Sequence, residues 1–522
     1  MLCYPAIAAM RVINAQRPFY QVSIKGGEIG TKTPLELMFR AIQIMQLKKT
    51  HKRITEPYHS EMEEKTLIAY MVCWWRLNRH LVKWETESSS ELKSGKMGMD
   101  SLPDDVVQNI LSKLSNANDV ASCNSVSNRW RKLLTSYRKR LCFSRDIFEN
   151  LKPPQTPDSI MMQMVSSVSQ LEQLVVSCRF TVEGLTSWLP VAGSSLKNLE
   201  LRVAHPPTKV RRILECINQA TARNLEYIKL WHVMMTRIPK LDVFHKLRCL
   251  EICEVIMEDS VLMEALRATP HLTRLVLLDC KGLSSVQIEL PELRHCQLET
   301  CYTSGCSITL RAPKLQHLKV RGLAWIRVDD TNCLKTFSIV NYSCTAPVVE
   351  LGDNLMALES LSANGYQWRW EDVTRMLQHA TEVKHLSLDM RLIPGSTPIF
   401  PEIDFLDLFK TRPKLEFLHI HDVMIDALCN NHMTTTTPLK NRLVIPCLEE
   451  VVIILALPSN VGKVTWVVKS LLKYGTKLKK IKMIVNDFLT ENHCLDRFCN
   501  EIPSVGNGVA LIGLPVITES KL

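Results

Sequence analysis

Cysteine is the residue type in this chain with the widest chemistry, because a thiolate can bind zinc or act as a nucleophile. The 522 residues include 18 cysteines, which are scattered and form no CxxC pair. Cys249/Cys253 and Cys301/Cys306 have no histidines at a zinc-binding spacing. We therefore predict buried core thiols in a reducing compartment, without a metal site.

Other catalytic patterns are absent from the sequence as well. It contains no GxSxG, HExxH, Walker or GxGxxG motif, so we predict a non-enzymatic protein without a cofactor. The most apolar run, LIAYMVCWW, has nine residues, whereas a membrane span needs about twenty. The basic run at 129–140 has no base-reading side chains beside it and reads as a solvated helix end. We expect neither a membrane nor a nucleic acid as partner, and a location in the nucleus or cytoplasm.

The elements that would position any site come from an internal repeat. A chain of this length is too long for one ordinary core, unless it forms several domains or a solenoid. The template L-x-x-L-x-L recurs with a mean step of about 26 residues, the period of leucine-rich repeats. Thirteen segments match it, and they begin at Leu171, Leu196, Leu225, Leu247, Leu272, Leu293, Leu315, Leu334, Leu358, Val383, Leu415, Leu448 and Leu478.

Each L-x-L core predicts a short strand whose side chains alternate between two faces. In the repeat from Leu272, we expect Leu275 and Leu277 to point inward, and Arg274, Val276 and Leu278 to point outward. Stacking such strands buries the leucines and gives a curved parallel sheet. Helical patterns at 260–272, 371–383, 405–415 and 467–478 predict convex helices near the ends, with extended segments between them.

A different pattern occupies residues 99–145. Apolar spacings of three and four predict a first helix near Pro103, a second at 120–126 capped by Asp119, and a third from about Asn128. Three helices in fewer than fifty residues bury too little area to fold alone. Their apolar faces therefore either bind a partner or pack on the first repeat.

The same block resembles an F-box. L-P-x6-I-L-x-x-L, then D-V, then V-S-x-x-W-R-x-L, runs from Leu102 to Leu133. With the repeats behind it, the chain resembles plant-type F-box/LRR-repeat proteins. The resemblance implies an α/β fold, in which a small all-α F-box precedes a leucine-rich-repeat solenoid.

The resemblance also implies a function and partners. The F-box would bind a Skp-type adaptor and, through it, the cullin and RING subunits of an SCF-type ubiquitin ligase. The repeats would hold an unknown target protein, and the chain would be the non-catalytic substrate-recognition subunit. The alternatives are a small-molecule (hormone) co-receptor of the F-box/LRR type and a scaffold outside any ligase.

Two sets of site residues follow. The adaptor-binding residues implied by the resemblance are Leu102, Pro103, Ile110, Leu111, Leu114, Val120, Trp130 and Leu133, some of which, Ile110 especially, could instead hold the helices together. Outward strand positions give the residues expected on the concave, target-binding face, which are Trp231, Arg274, His295, His317, Lys319, Arg321, His385, Phe417 and His419. The middle of this face is basic and rich in histidine, which suggests an acidic or phosphorylated target. The alternative is a set of scattered, solvated polar residues.

These inferences divide the chain into five parts. We expect a poorly ordered N-terminal extension at 1–98, with one helix at 62–84, or else a targeting or regulatory arm there. The F-box follows at 99–145, a connector at 146–170, the solenoid at 171–500, and a C-terminal cap or tail at 501–522.

Overall fold

The structure is a computed structural model. It describes residues 103–148, 155–193, 195–202, 213–221, 223–235, 241–300, 305–343, 345–352, 355–396, 403–429, 444–456, 461–486 and 510–515. The predicted extension at 1–98, the site residue Leu102 and the thiol of Cys301 lie outside the described residues.

One parallel sheet of fifteen strands dominates the fold, and its strands follow one another in chain order. Parallel neighbours require crossover connections, which the segments between the leucine motifs supply. All thirteen predicted strands form in this sheet, as the repeat period required. They are β2 (Gln173–Ser177), β3 (Asn198–Arg202), β4 (Tyr227–Trp231), β6 (Cys249–Cys253), β8 (Arg274–Cys280), β10 (His295–Thr300), β12 (His317–Arg321), β14 (Thr336–Asn341), β16 (Ser360–Trp368), β17 (His385–Leu392), β18 (Phe417–His421), β19 (Glu450–Ala456) and β20 (Lys480–Asn486).

The sheet extends past the predicted solenoid range of 171–500 at both ends. Strand β1 (Arg140–Ser144) pairs with β2, and β21 (Ala510–Pro515) pairs with β20. Leu141 and Phe143 of β1 are buried opposite Leu174 and Val176, although no L-x-x-L motif precedes them. The range predicted as a connector holds a helix at Pro157–Ser166. A terminal strand can therefore form when apolar residues alternate toward the core, even without a leading L-x-x-L motif.

The connections form the second layer. A four-stranded parallel sheet lies in the middle, as predicted for the extended segments, and helices occur before and after it. Its strands are β9 (Ser285–Glu289), β11 (Ser307–Arg311), β13 (Trp325–Val328) and β15 (Val348–Leu351), while β5 (Met234–Met235) pairs with β7 (Ile256–Met257). The helices are α4 (Pro157–Ser166), α5 (Val182–Ala192), α6 (Ile213–Thr221), α7 (Asp259–Arg267), α8 (Trp370–His379), α9 (Phe405–Lys410), α10 (Asp422–Leu428) and α11 (Val461–Tyr474).

The inward leucines and the inner sides of these connections share one buried cluster. The opposite side of the large sheet carries the outward positions, and we call it the open face. Leu275 and Leu277 are buried as predicted. Val276 is also buried, because it lies in register between the longer side chains of Glu251 and Gln297.

Three helices precede the sheet, and we call them the helical block: α1 (Asp104–Ser112), α2 (Ala117–Asn124) and α3 (Asn128–Tyr137). The second helix begins three residues before its predicted start. Its cap is Asn116, whose side chain accepts a hydrogen bond from the Asn118 amide. Asp119 lies inside the first turn, so the prediction that it caps the helix was wrong. Asparagine and aspartate cap equally well, and Asn116 comes first.

The block is joined to the sheet through α2. Ala117 and Val120 belong to the same buried cluster as the leucines of the repeats. The Cys142 amide of β1 donates to the carbonyl oxygen of Ser115 at 2.7 Å. One of the two alternatives for the apolar helix faces, packing on the first repeat, therefore applies to α2.

Candidate partner-binding surfaces

The helical block divides the predicted adaptor-binding residues into buried and accessible ones. Leu111, Leu114, Val120 and Trp130 are buried within the chain. In this conformation they hold the block together and attach it to the sheet, so a partner could reach them only after rearrangement. Ile110, the residue expected above all to have that role, is half-buried.

The accessible apolar side chains lie mainly on α1. Pro103 is exposed, Ile110 and Leu133 are half-buried, and Val106, which the set of site residues omitted, is 39% exposed. Val106 and Ile110 are four residues apart, which places them on one side of the helix. This surface has the apolar character of a docking site, because exposed apolar side chains that are contiguous mark interaction surfaces.

A shallow groove separates α1 from α3. It is lined by Gln108, Leu111, Ser112, Leu133, Leu134 and Arg138. The Arg138 guanidinium is buried, and its Nη1 donates to the carbonyl oxygen of Leu114 at 2.5 Å. Burial lowers the pKa of Arg138 to about 10, although the nearby Cys123 opposes this shift. The basic run at 129–140 was predicted to be a solvated helix end. Arg138 is an exception, because it is buried and its guanidinium donates to the backbone just after the C-terminal end of α1.

On the open face, the predicted basic residues are largely paired. Arg274 and Lys229 both approach the carboxylate of Glu251, at 3.5 and 3.4 Å. The Trp231 ring is covered by the guanidinium of Arg202, 4.2 Å from its centroid. These side chains come together from neighbouring strands, and Glu251 shares its single negative charge between two cations.

The predicted histidines lie along the same face. His295 and His317 stack at 4.6 Å with nearly parallel rings, and His317 Nδ1 lies 2.8 Å from the Thr336 hydroxyl. Burial, and then the neighbouring His317, lower the pKa of His295 below its usual range. Burial also lowers the pKa of His419, whose Nδ1 lies 3.2 Å from the Ser387 hydroxyl. These two histidines are therefore mostly uncharged near neutral pH.

The remaining residues predicted for this face differ in their exposure and in their partners. Arg321 pairs with Glu299 at 3.1 Å, whereas Lys319 is exposed. His385 and Phe417 are neighbours on β17 and β18, with ring centroids 6.3 Å apart. With most cations paired and two histidines uncharged, this face offers little support for binding a highly charged phosphorylated segment.

The structure brings together a row that the sequence reasoning missed. We call Arg321, Tyr342, Tyr366 and Arg391 the tyrosine ladder. The Arg321 guanidinium lies 4.9 Å from the Tyr342 ring, the two tyrosine rings are 6.1 Å apart, and the Arg391 guanidinium lies 5.1 Å from the Tyr366 ring. Tyr342 and Tyr366 are 44% and 43% exposed. The sequence prediction followed the outward positions only to the fifth residue of each strand. Both tyrosines lie two residues further along the chain, so continuing the same alternation by one step would have predicted them.

Neither a metal centre nor a reactive thiol stands out in the part of the chain that the structure describes. No three His, Cys, Asp or Glu side chains converge there in a way that could hold an ion. Burial raises the pKa of Cys178, Cys280, Cys296 and Cys429 to about 12, which keeps these thiols protonated. None of the helices in the described ranges combines the length and the apolar character needed to cross a membrane.

Comparisons with known proteins agree with this architecture. Residues 99–144 match the F-box-like family, and residues 185–420 match the LRR repeats of the FBD-associated F-box protein At5g56370. The chain is 41% identical to F-box protein At1g10780 of Arabidopsis thaliana over 415 residues, which cover 77% of this chain and 97% of that protein. It is 24% identical to F-box/LRR-repeat protein At1g67190 of the same plant, over 56% of this chain and 70% of that protein. The chain belongs to the plant F-box/LRR-repeat proteins.

Proposed function

We propose that the chain is the substrate-recognition subunit of an SCF-type ubiquitin ligase. In this proposal the helical block binds a Skp-type adaptor, which connects the chain to the cullin and RING subunits. The open face of the sheet holds the target protein. The observation that carries the proposal is the accessible apolar surface of α1, at Pro103, Val106 and Ile110, within a block that matches the F-box.

The division of labour follows from the fold. The buried residues of the block fix the angle between its helices, and α2 fixes the block to the first strand. The accessible residues of α1 are then presented on a rigid support, so binding loses little conformational entropy. The chain supplies no chemistry of its own in this proposal, since it raises the local concentration of the target near the ligase. We place it in the nucleus or cytoplasm, which a fluorescent fusion would test.

Co-purification with a Skp-type adaptor tests this proposal. We expect Val106→Asp to reduce adaptor recovery at least tenfold, because a carboxylate would enter an apolar interface. The matched control is Val191→Asp on α5, since Val191 is a helical valine of similar exposure, 44%. Adaptor recovery that is equal for Val106→Asp and the wild-type chain would refute the assignment of this surface. If the wild-type chain captures no adaptor, the proposed ligase function is refuted.

A further inference from the structure

The tyrosine ladder is held in place by a buried polar residue. The Asn341 side chain is 1% exposed, and its Nδ2 donates to the carbonyl oxygens of Tyr366 and Thr345 at 2.7 and 3.0 Å. Its Oδ1 accepts from the Ser343 amide at 3.0 Å. These bonds fix the backbone on both sides of Tyr342 to the backbone that carries Tyr366. The two rings are therefore presented by a preorganised support.

A glycine completes that support. Gly365 directly precedes Tyr366 and has φ +100°, in the left-handed region. A side chain there would overlap the carbonyl oxygen of Asn341 on the neighbouring strand. The strands approach this closely only because position 365 has no Cβ. The ladder is thus a built feature of the sheet rather than a pair of loosely attached surface rings.

The residue types of the ladder are those that dominate binding energy at interfaces. Exposed tyrosine and arginine are enriched among hot-spot residues. Arg391 is exposed and forms no ion pair within the described residues, whereas Arg321 pairs with Glu299. The row therefore offers two exposed aromatic rings, each with a guanidinium over one side, and the second of these guanidinium groups has no carboxylate partner within the described residues.

We infer that the ladder binds an extended peptide segment of the target, in which a proline or aromatic residue is followed two positions later by Asp or Glu. The apolar side chain would lie on the two tyrosine rings, and the carboxylate would pair with Arg391. This inference rests on the proposed function, because it describes the target that the repeats would hold.

The spacing of the strands sets the spacing of this motif. Tyr342, Tyr366 and Arg391 each follow residues that are in register, namely Asn341, Gly365 and Met390. Neighbouring strands lie about 4.8 Å apart, so Arg391 is about 7 Å from the midpoint of the tyrosine pair. Residues i and i+2 of an extended peptide point to the same side and are about 6.7 Å apart. A peptide that crosses the strands therefore meets both features.

The charges favour a carboxylate over a phosphate. Phosphorylated segments are usually held by clusters of arginine, and here a single guanidinium is available. Asp389 lies two residues earlier on the same strand and would repel a dianion more strongly than a single carboxylate. The same two points disfavour single-stranded RNA, whose backbone requires a basic groove.

Selection from a phage-displayed library of random heptapeptides tests the inference, with the full-length chain as bait and adaptor recovery measured on the same preparations. We expect at least tenfold enrichment of Pro, Phe, Tyr or Trp followed two positions later by Asp or Glu. The double variant Tyr342→Ala/Tyr366→Ala should lose the aromatic and proline preference. Arg391→Glu should replace the acidic preference by Lys or Arg. The matched control Arg327→Glu, on β13 of the other sheet, should leave the selection unchanged.

Several outcomes would overturn the inference. They are enriched peptides without the pattern, a pattern that survives in both ladder variants, a preference for phosphoserine over glutamate in matched synthetic peptides, and retention of RNA in place of peptides. Adaptor recovery from the same preparations separates the two proposals, because the ladder begins seven strands along the sheet from β1. If the peptide pattern is lost while adaptor recovery is complete, only the proposal that the ladder binds this peptide is refuted. Peptide selection without adaptor recovery removes only the ligase function.

Discussion

Replacing Asn341 by alanine tests whether one buried amide holds the end of strand β14 to β16. The change removes three hydrogen bonds, of 2.7, 3.0 and 3.0 Å, from a side chain that is 1% exposed. Each contributes roughly 0.5–1.5 kcal/mol, which gives an upper figure of about 4.5 kcal/mol for the three. Thr345 and Tyr366 are exposed residues, so water can reach their freed carbonyl oxygens. We therefore expect Asn341→Ala to cost about 2–3 kcal/mol.

Hydrogen exchange is the appropriate assay, because repeat arrays open locally and a single melting temperature averages over them. A cost of 2–3 kcal/mol corresponds to about 30- to 150-fold faster exchange of the β14 and β16 amides. The matched control is Asn364→Ala on β16, since its side-chain contacts with Ser362 and Ser387 are both at the 3.5 Å limit. We expect a change below about threefold there. Equal exchange rates in the two variants would refute this account of Asn341.

Three further predictions concern other sites. Gly365→Ala should destabilise the same region by about 1–3 kcal/mol, because alanine is strained at this φ and its Cβ would overlap a carbonyl oxygen; unchanged hydrogen exchange of the β14 and β16 amides would contradict this. The lowered pKa values of His295 and His419 mean that the unfolded chain takes up protons first as the pH falls. Their contribution to stability is therefore complete above about pH 6.5 and is lost as the pH falls through the folded values, so urea unfolding at pH 7.5 and 5.5 should differ less in a His295→Gln/His419→Gln variant. Cys333 is exposed while Cys296 is buried with its pKa raised to about 12, so mass spectrometry after brief iodoacetamide treatment should find Cys333 alkylated at least tenfold faster; equal labelling would indicate an opened core.

The fold was predictable because its signal is repeated. A leucine at every inward position must be buried, and only stacked parallel strands bury thirteen such motifs together. The change from helices to extended segments in the middle was equally visible, since Ser285–Glu289 and Ser307–Arg311 alternate polar and apolar residues. Strand β1 was not predicted because it lacks the leading L-x-x-L. The cap at Asn116 was not predicted because the nearby Asp119 has the same propensity to cap a helix.

The surfaces were less predictable, for a different reason. Alternation along one strand says which side chains point outward, but pairing between strands depends on register. Arg274 and Arg321 were recognised as outward cations, while their carboxylate partners Glu251 and Glu299 lie on neighbouring strands. The burial of Arg138 and Trp130 similarly depends on how helices pack, which apolar spacing along one helix does not determine.

In the proposed ligase, the strict chain order of the large sheet sets the distance between the bound adaptor and the bound target. Each repeat adds one strand, so the number of repeats between the helical block and the tyrosine ladder sets the distance between them along the sheet. The midpoint of the tyrosine pair lies between the ninth and tenth strands, roughly 40 Å along the sheet from β1 at about 4.8 Å per step. Deleting one repeat would shorten this reach by a single increment without altering either end. In the proposed ligase, such a deletion would move the bound target one strand closer to the adaptor and so change which of its lysines reach the transferring enzyme.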